Sequence, residues 1–181
     1  MKLSAFILIF FSCVAFALSG FYLFLSYTHP LKFEHEILTI SKDYNFHPEL
    51  IASLINAESS FNEKAKSNKG AIGLMQIKLT TANYVSSLNN ENKINESELF
   101  SPSINIKIGC QYLKYLLNKF KNLDTALAAY NAGETRVREW LKSGIYSTDE
   151  IKLNFIPFIE TREYVKKINK DIKFYKKYFK N

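Results

Sequence analysis

Residues 48–77, with the sequence PELIASLINAESSFNEKAKSNKGAIGLMQI, contain the pattern that decides the fold. Leucines and isoleucines at positions 50, 51, 54 and 55 recur at helical spacing, and Pro48 suits the first position of a helix. Glu58 follows on the same apolar face, at the C-terminal end of the predicted helix. Residues 69–73 then form a glycine-bearing turn, in which Gly70 and Gly73 allow the chain to turn sharply. The segment therefore predicts a buried helix that ends in a carboxylate beside a tight loop.

The flanking sequence predicts further helices and almost no strands. Apolar residues recur at helical spacing on both sides of the segment, whereas the alternation typical of strands is nearly absent. The predicted helices are residues 33–44, a short helix within 74–88, a central helix that begins at Ser101 and Pro102 and reaches Phe120, an Ala-rich helix capped by Asp124 and ending near Gly133, a short helix carrying Trp140 and ended by Gly144, and a last helix from near Pro157 to Phe179. The sequence predicts a mainly α fold.

The N-terminus carries a long apolar segment. From Leu3 to Tyr27 no residue is charged, and a helix of this length exceeds the roughly 30 Å of membrane hydrocarbon. We expect residues 1–28 to be a signal anchor or transmembrane segment and residues 29–181 to form one exported domain. A cleaved signal peptide is the alternative, because Ala15, Phe16 and Ala17 have the small-x-small form of a cleavage site. Either interpretation places the domain on the periplasmic or extracellular side.

The charge of the chain limits its partners. Lysine and arginine number 24 against 17 aspartates and glutamates, a formal net charge of +7, so the surface should attract anionic polymers such as nucleic acid, phospholipid or anionic wall polymers. A solvated lysine-rich surface is the alternative, and we prefer it. The basic residues are spread along the chain, and neither a zinc spacing nor an RNA-binding aromatic motif accompanies them, which argues against nucleic acid. His29, His35 and His47 show no metal-ligand spacing, so we assign no metal. Contact with the membrane is expected through residues 3–27.

Glu58 has the setting of an acid catalyst. Loss of water on an apolar helix face and the negative end of the helix dipole both disfavour the charged carboxylate, so its pKa should rise. A carboxyl group that stays protonated near neutral pH can protonate a glycosidic oxygen. Taken alone, a glutamate at a helix end more often simply reaches solvent.

Four blocks in order resemble the soluble lytic transglycosylase family, whose transglycosylase SLT domain is similar to goose-type lysozyme. They span most of residues 58–165. The blocks are ESSF at 58–61 with GAIGLMQI at 70–77; PSINI at 102–106 with Gly109, Tyr112 and Leu113; AYNAG at 129–133; and IPF at 156–158 with ETREYV at 160–165. The resemblance implies a lysozyme-like helical domain.

The resemblance also implies roles for individual residues. It makes Glu58 the catalytic acid and places five residues along the substrate cleft, namely Ser67, Gln76, Tyr130, Asn131 and Glu160. Each of the five has a structural alternative. Ser67 is then a turn hydroxyl, Gln76 a cap on backbone groups, Tyr130 a core residue, Asn131 part of a helix end, and Glu160 one half of a charge pair with Arg162. The sequence departs from the family at Lys78 and Leu79, where Met-Pro is frequent, and at Glu63, where Pro is common, which puts local loop shape and subsite preference in doubt.

The reaction implied is cleavage of the β-1,4 bond between N-acetylmuramic acid and N-acetylglucosamine in peptidoglycan, with a 1,6-anhydro product and no cofactor. Most glycosidases use two carboxylates, whereas these residues nominate one. Two alternatives remain open. One is a goose-type lysozyme-like hydrolase that admits water; the other is a non-catalytic wall-binding accessory of a secretion or conjugation apparatus.

Overall fold

The computed structural model describes residues 2–179. Eight helices and one two-stranded sheet are present in this range: α1 Lys2–Thr28, α2 Glu34–Asp43, α3 Pro48–Ser59, β1 Ala71–Ile72, β2 Ile77–Lys78, α4 Leu79–Leu88, α5 Pro102–Phe120, α6 Leu123–Ala132, α7 Glu134–Lys142 and α8 Ile159–Tyr175. A 3₁₀ turn at Glu98–Phe100 precedes α5. The predicted mainly α fold is confirmed.

Helix α5 is the centre of the folded domain. Pro102 occupies its first turn, and Lys121 ends it in the left-handed conformation. Its buried face, which includes Ile106, Leu113 and Leu116, packs against α2, α4 and α6, while α3 packs against α8 on the other side of the core. Burial of these apolar side chains supplies the main favourable free energy of folding. The arrangement brings the end of α3 and the start of α8 to the same edge of the domain.

The antiparallel pair β1–β2 forms a small hairpin held by one buried side chain. Asn105 on α5 donates from Nδ2 to the carbonyl oxygens of Ile72 and Leu99, at 2.9 and 2.7 Å, and accepts from the Met75 amide at 2.8 Å. Gly73 has φ +74°, and a Cβ there would lie 2.6 Å from the Leu99 carbonyl oxygen. The glycine is therefore required both by its backbone conformation and by the close approach of α5.

The short helix predicted within residues 74–88 is present as α4; it begins at Leu79, because the residues before it form the hairpin. Two details of the predicted elements were wrong. The cap of α6 is Asn122, whose Oδ1 accepts from the Thr125 amide at 3.0 Å; Asp124 instead accepts a hydrogen bond from Asn169 of α8. The last helix ends at Tyr175, so Phe179 lies beyond it.

Helix α1 stands apart from the core and meets the domain only near its own C-terminal end. Its window Ile7–Leu25 is long and apolar enough to cross a membrane, and the rest of the described chain buries none of it. Just beyond, Asn56 donates to the Thr28 carbonyl oxygen at 3.2 Å and the Tyr175 hydroxyl donates to the Pro30 carbonyl oxygen at 2.8 Å. The exit of α1 is thus attached to α3 and α8 without an intervening linker.

Candidate active site

Glu58 lies in the last turn of α3, next to the residue that ends the helix. The preceding turns are buried because Ile51, Leu54 and Ile55 face the core, each with no exposed surface. Glu58 itself is half-buried and faces the edge where α3 and α8 meet. The helical period that buries the apolar residues thereby places a carboxyl group at the border between core and solvent.

Tyr164 on α8 is the hydrogen-bond partner of this carboxyl group. Its hydroxyl donates to Glu58 Oε1 at 2.5 Å. The side chain is half-buried. No other side chain within the described part of the chain donates to Glu58, so Oε2 is left for a ligand.

The environment raises the pKa of Glu58. Burial, which disfavours the charged form, raises the pKa of this carboxyl from 4.5 to about 7, and the hydrogen bond from Tyr164 lowers it in part. Burial and the nearby Glu58 in turn hold the pKa of Tyr164 well above its usual range, so the phenol stays protonated and keeps donating. Near neutral pH Glu58 is therefore present in both its acid and its base form.

A groove of about 440 Å³ opens in front of the carboxyl group. It runs between the hairpin with the start of α4 on one side and the α6–α7 junction with the start of α8 on the other. All six site residues nominated by the sequence line it: Glu58, Ser67, Gln76, Tyr130, Asn131 and Glu160. Residues separated by up to about a hundred positions in sequence thus share one surface.

Tyr130 and Gln76 both line the groove and bind backbone carbonyl groups of the loop between β1 and β2. The Tyr130 hydroxyl donates to the Met75 carbonyl oxygen at 2.9 Å, and Gln76 Nε2 donates to the Gly73 carbonyl oxygen at 3.0 Å. Gln76 has φ +48°, a conformation that costs free energy for a residue with a side chain. The backbone cap suggested for Gln76 is present, and it coexists with a position on the groove wall.

The remaining three nominated residues differ in how firmly they are held. Ser67 closes the turn before β1, since its Oγ accepts from the Ala71 amide at 3.0 Å. Asn131 is exposed, and its Oδ1 accepts from the Thr161 hydroxyl at 2.7 Å. Glu160 is exposed at the start of α8. The suggested Glu160–Arg162 charge pair is absent from the described residues, because Arg162 donates to the Ile156 carbonyl oxygen instead.

Five polar residues that the structure brings to the site were not nominated as site residues from the sequence. Lys69, Lys78, Thr81 and Tyr112 line the groove, and Tyr164 contacts the carboxyl group. Tyr164 follows Glu160 by four residues within the same block, which places the two side chains on one helix face. That spacing was the available signal for Tyr164, and Tyr112 belongs to the second block. Lys69, Lys78 and Thr81 reach the groove through the packing of the hairpin and the start of α4.

Comparisons with known proteins agree with one another. A family model described as the transglycosylase SLT domain matches residues 36–152. A soluble lytic murein transglycosylase from Salmonella typhimurium is 41% identical over 119 residues, covering 64% of this chain and 18% of the relative. The membrane-bound lytic murein transglycosylase E of Buchnera aphidicola subsp. Acyrthosiphon pisum is 42% identical over 93 residues, 49% of this chain and 42% of the relative.

A solved structure shares the fold. The chain superposes on an inactive mutant of the lytic transglycosylase Slt from Pseudomonas aeruginosa with a TM-score of 0.75 and 31% sequence identity. The match covers 85% of this chain and 25% of that one. The chain therefore spans about a fifth to a quarter of the length of these two proteins.

Proposed function

This chain belongs to the transglycosylase SLT domain family, and from that membership together with the groove around Glu58 we propose that it is a peptidoglycan lytic transglycosylase. The observation that carries the proposal is a single carboxyl group with a pKa raised to about 7, held by Tyr164 at the wall of an open groove. Such a group can give and take a proton at neutral pH. The five other nominated residues are proposed to bind the glycan strand.

In the proposed first step Glu58 acts as the acid. The protonated carboxyl group gives its proton to the glycosidic oxygen that leaves C1 of N-acetylmuramic acid, while Tyr164 keeps Oε1 oriented. The substrate's own acetamido group stabilises the positive charge that develops at C1. Only one protein carboxylate is needed, which agrees with the exposed position of Glu160 at the margin of the groove.

In the proposed second step the same residue acts as the base. Glu58, now ionised, takes the proton from the C6 hydroxyl of the muramic acid residue, and the C6 oxygen bonds to C1 to give a 1,6-anhydro ring. Because the nucleophile belongs to the same sugar, its effective concentration is high and water is not required. The reaction needs neither a metal nor a cofactor.

We further propose that residues 1–28 anchor the enzyme in a membrane and that residues 29–181 form the catalytic domain outside the cytoplasm. The apolar window Ile7–Leu25 supports the anchor, and membrane-bound as well as soluble lytic transglycosylases are among the relatives. Secretion after cleavage behind Ala17 is the alternative. Cleavage would remove more than half of α1, so the mass of the mature chain decides between them.

A digest of purified cell wall tests the activity. We expect the native protein to release muropeptides with 1,6-anhydro ends, detected by mass spectrometry, and Glu58→Gln to release none. Glu139→Gln, an exposed change on α7, is the matched control and should leave release unchanged. Products with reducing ends would overturn the transglycosylase assignment in favour of a hydrolase. Unchanged release by Glu58→Gln would remove Glu58 from its proposed role, and no release by the native protein would favour a non-catalytic wall-binding accessory.

A further inference from the structure

A second cavity, larger than the groove at Glu58, lies elsewhere in the domain. A pocket of about 810 Å³ opens where α1 enters the domain, between the exit of α1, the end of α3 and the middle of α8. We call it the junction pocket and define it by Thr28, His29, Lys32, Asn56 and residues 163–171 of α8. Nothing in the proposed transglycosylase reaction uses it.

The junction pocket carries a surplus of positive charge. Four lysines line it, Lys32, Lys166, Lys167 and Lys170, against two acids. The acids are already paired, because Glu163 lies 2.8 Å from Lys166 and Asp171 lies 2.8 Å from Lys167. Within residues 2–179, Lys32 and Lys170 form no ion pair, so both ammonium groups are available to an anion.

The floor of the pocket is a fixed hydrogen-bond network. Asp171 is 3% exposed and accepts from Asn56 Nδ2 at 2.9 Å, from His29 Nε2 at 3.2 Å and from Lys167 Nζ. The His29 ring also packs against Phe174, with ring centroids 4.0 Å apart. With three donors on Asp171, its negative charge is compensated, and the lysines around the rim determine the potential that a ligand meets.

The position of the junction pocket relative to α1 places it at the depth of the lipid headgroups. The apolar window ends at Leu25, and three further residues of helix reach Thr28, about 4.5 Å farther along the axis. The polar headgroup layer of a bilayer is about 5 to 7 Å thick on each side of the hydrocarbon. Tyr27, 86% exposed, lies where aromatic residues mark the membrane interface. The junction pocket is thus at headgroup depth when α1 spans a bilayer.

We propose that the junction pocket binds the phosphate group of an anionic phospholipid, with Lys32 and Lys170 as the contacting cations. Lys166, whose ion pair with Glu163 is exposed to solvent, adds to the positive potential at the rim. The inference rests on the proposed membrane anchor and is independent of the proposed chemistry at Glu58. Lysines close to an anionic leaflet gain favourable energy from the surface potential, and a fixed cavity adds preference for a headgroup that fits. A bound lipid at this point holds α8 against the membrane surface.

The test uses the full chain reconstituted in phosphatidylcholine vesicles that contain a trace of spin-labelled lipid. Electron spin resonance measures the fraction of label immobilised by the protein. We expect labelled phosphatidylglycerol to be immobilised in preference to labelled phosphatidylcholine, and this preference to fall by about tenfold in the triple variant Lys32→Gln, Lys166→Gln, Lys170→Gln. Lys167 is left in place because it contacts the buried Asp171.

Two further variants make the result specific. The triple variant Lys64→Gln, Lys93→Gln, Lys152→Gln removes the same charge from exposed lysines elsewhere and should keep the preference. Arginine at positions 32, 166 and 170 should also keep it, because arginine binds phosphate at least as well as lysine. Retention of the preference by the arginine variant excludes misfolding as the cause of its loss in the glutamine variant.

Several outcomes overturn the proposal. Equal immobilisation of both lipids, or an unchanged preference in the Lys32/Lys166/Lys170→Gln variant, removes the headgroup site while leaving the anchor intact. Release of phosphatidylglycerol by inorganic phosphate assigns the pocket to a free anion instead. If alkaline carbonate strips the chain from the vesicles, whichever labelled lipid they contain, the anchor and the lipid site fail together. Muropeptide release is measured separately, and none of these outcomes bears on the role proposed for Glu58.

Discussion

The hydroxyl of Tyr164 on α8 donates a hydrogen bond to Oε1 of Glu58 at the end of α3, across 2.5 Å. The two residues are 106 positions apart in sequence. Burial raises the pKa of the Glu58 carboxyl to about 7, and this one hydrogen bond acts in the opposite direction by stabilising the ionised form. Tyr164 therefore both orients the carboxyl group and limits how far its pKa rises.

Replacing Tyr164 by phenylalanine should move the pH dependence of cleavage. Loss of the donor removes stabilisation of the ionised carboxylate, so the pKa of Glu58 rises and activity persists to higher pH, by about one pH unit. The measurement is kcat/KM for muropeptide release as a function of pH. Tyr178→Phe, an exposed tyrosine in the turn after α8, is the control and should leave the profile in place. A shift toward lower pH would contradict the role given to the hydrogen bond.

The native enzyme should lose activity as pH rises through neutrality. Only the protonated carboxyl group can begin the reaction, and its pKa is raised to about 7. We expect kcat/KM to fall about tenfold for each pH unit above that value, as a single ionisation requires. A digest followed over a range of pH at constant ionic strength measures the slope. A rate that is flat well above pH 7 would show that Glu58 is not the group that must be protonated.

Glu58→Gln should stabilise the protein at alkaline pH. The pKa of this carboxyl is higher in the folded chain than in the unfolded chain, so the native protein loses stability as pH rises from about 4.5 to about 7. Glutamine does not ionise, and the variant should be more stable above pH 7 by about 3 kcal/mol. Below pH 4.5 the two proteins should be equally stable. The reverse pH dependence would mean that the folded state prefers the ionised form.

Fluorescence of Trp140 is the measurement for this comparison. Trp140 is the sole tryptophan in the chain, is 7% exposed and packs against Phe158 with ring centroids 5.1 Å apart. Its emission therefore reports unfolding of the domain and is not affected by α1. Urea titrations of both proteins at several pH values give the free energies of unfolding to be compared.

Gly73→Ala should be far more destabilising than Gly144→Ala. Both glycines have positive φ, at +74° and +69°, so each alanine costs about 1 kcal/mol from backbone strain. At Gly73 the new methyl group also collides with Asn105 and with the Leu99 carbonyl oxygen, whereas at Gly144 it meets nothing within 4 Å. We expect a total loss of about 3 kcal/mol or more at Gly73, measured by urea unfolding. Equal losses would show that the loop moves away from α5 at little cost.

The sequence predicted those features of the site that depend on local periodicity. Ile51, Leu54 and Ile55 determine the buried face of α3, and Glu58 belongs to that face because the helical repeat continues for one more turn. The lysozyme-like helical fold implied by the four blocks is confirmed by the structural neighbours. The six residues nominated from the four blocks all line one groove. Their roles remain predictions.

Contacts between distant elements were not predictable in the same way. Tyr164 contacts Glu58 only because α3 packs against α8. The periodicity of apolar residues predicts the buried face of each helix but not which helix packs against it. The hairpin has strands of two residues each, too short to show alternation, and it is held by Asn105 from a helix that follows it in sequence. Asn122 and Asp124 are equally good cap residues by type, and the choice between them depended on where the α6 helix begins.

The direct attachment of α1 to the domain limits which glycan strands the proposed enzyme can reach. Tyr175 and Asn56 bond to the backbone at Pro30 and Thr28, so no flexible tether separates the apolar helix from the groove. A domain of this size is about 40 Å across. If Ile7–Leu25 spans a bilayer as proposed, the groove reaches only glycan strands that lie within that distance of the lipid surface.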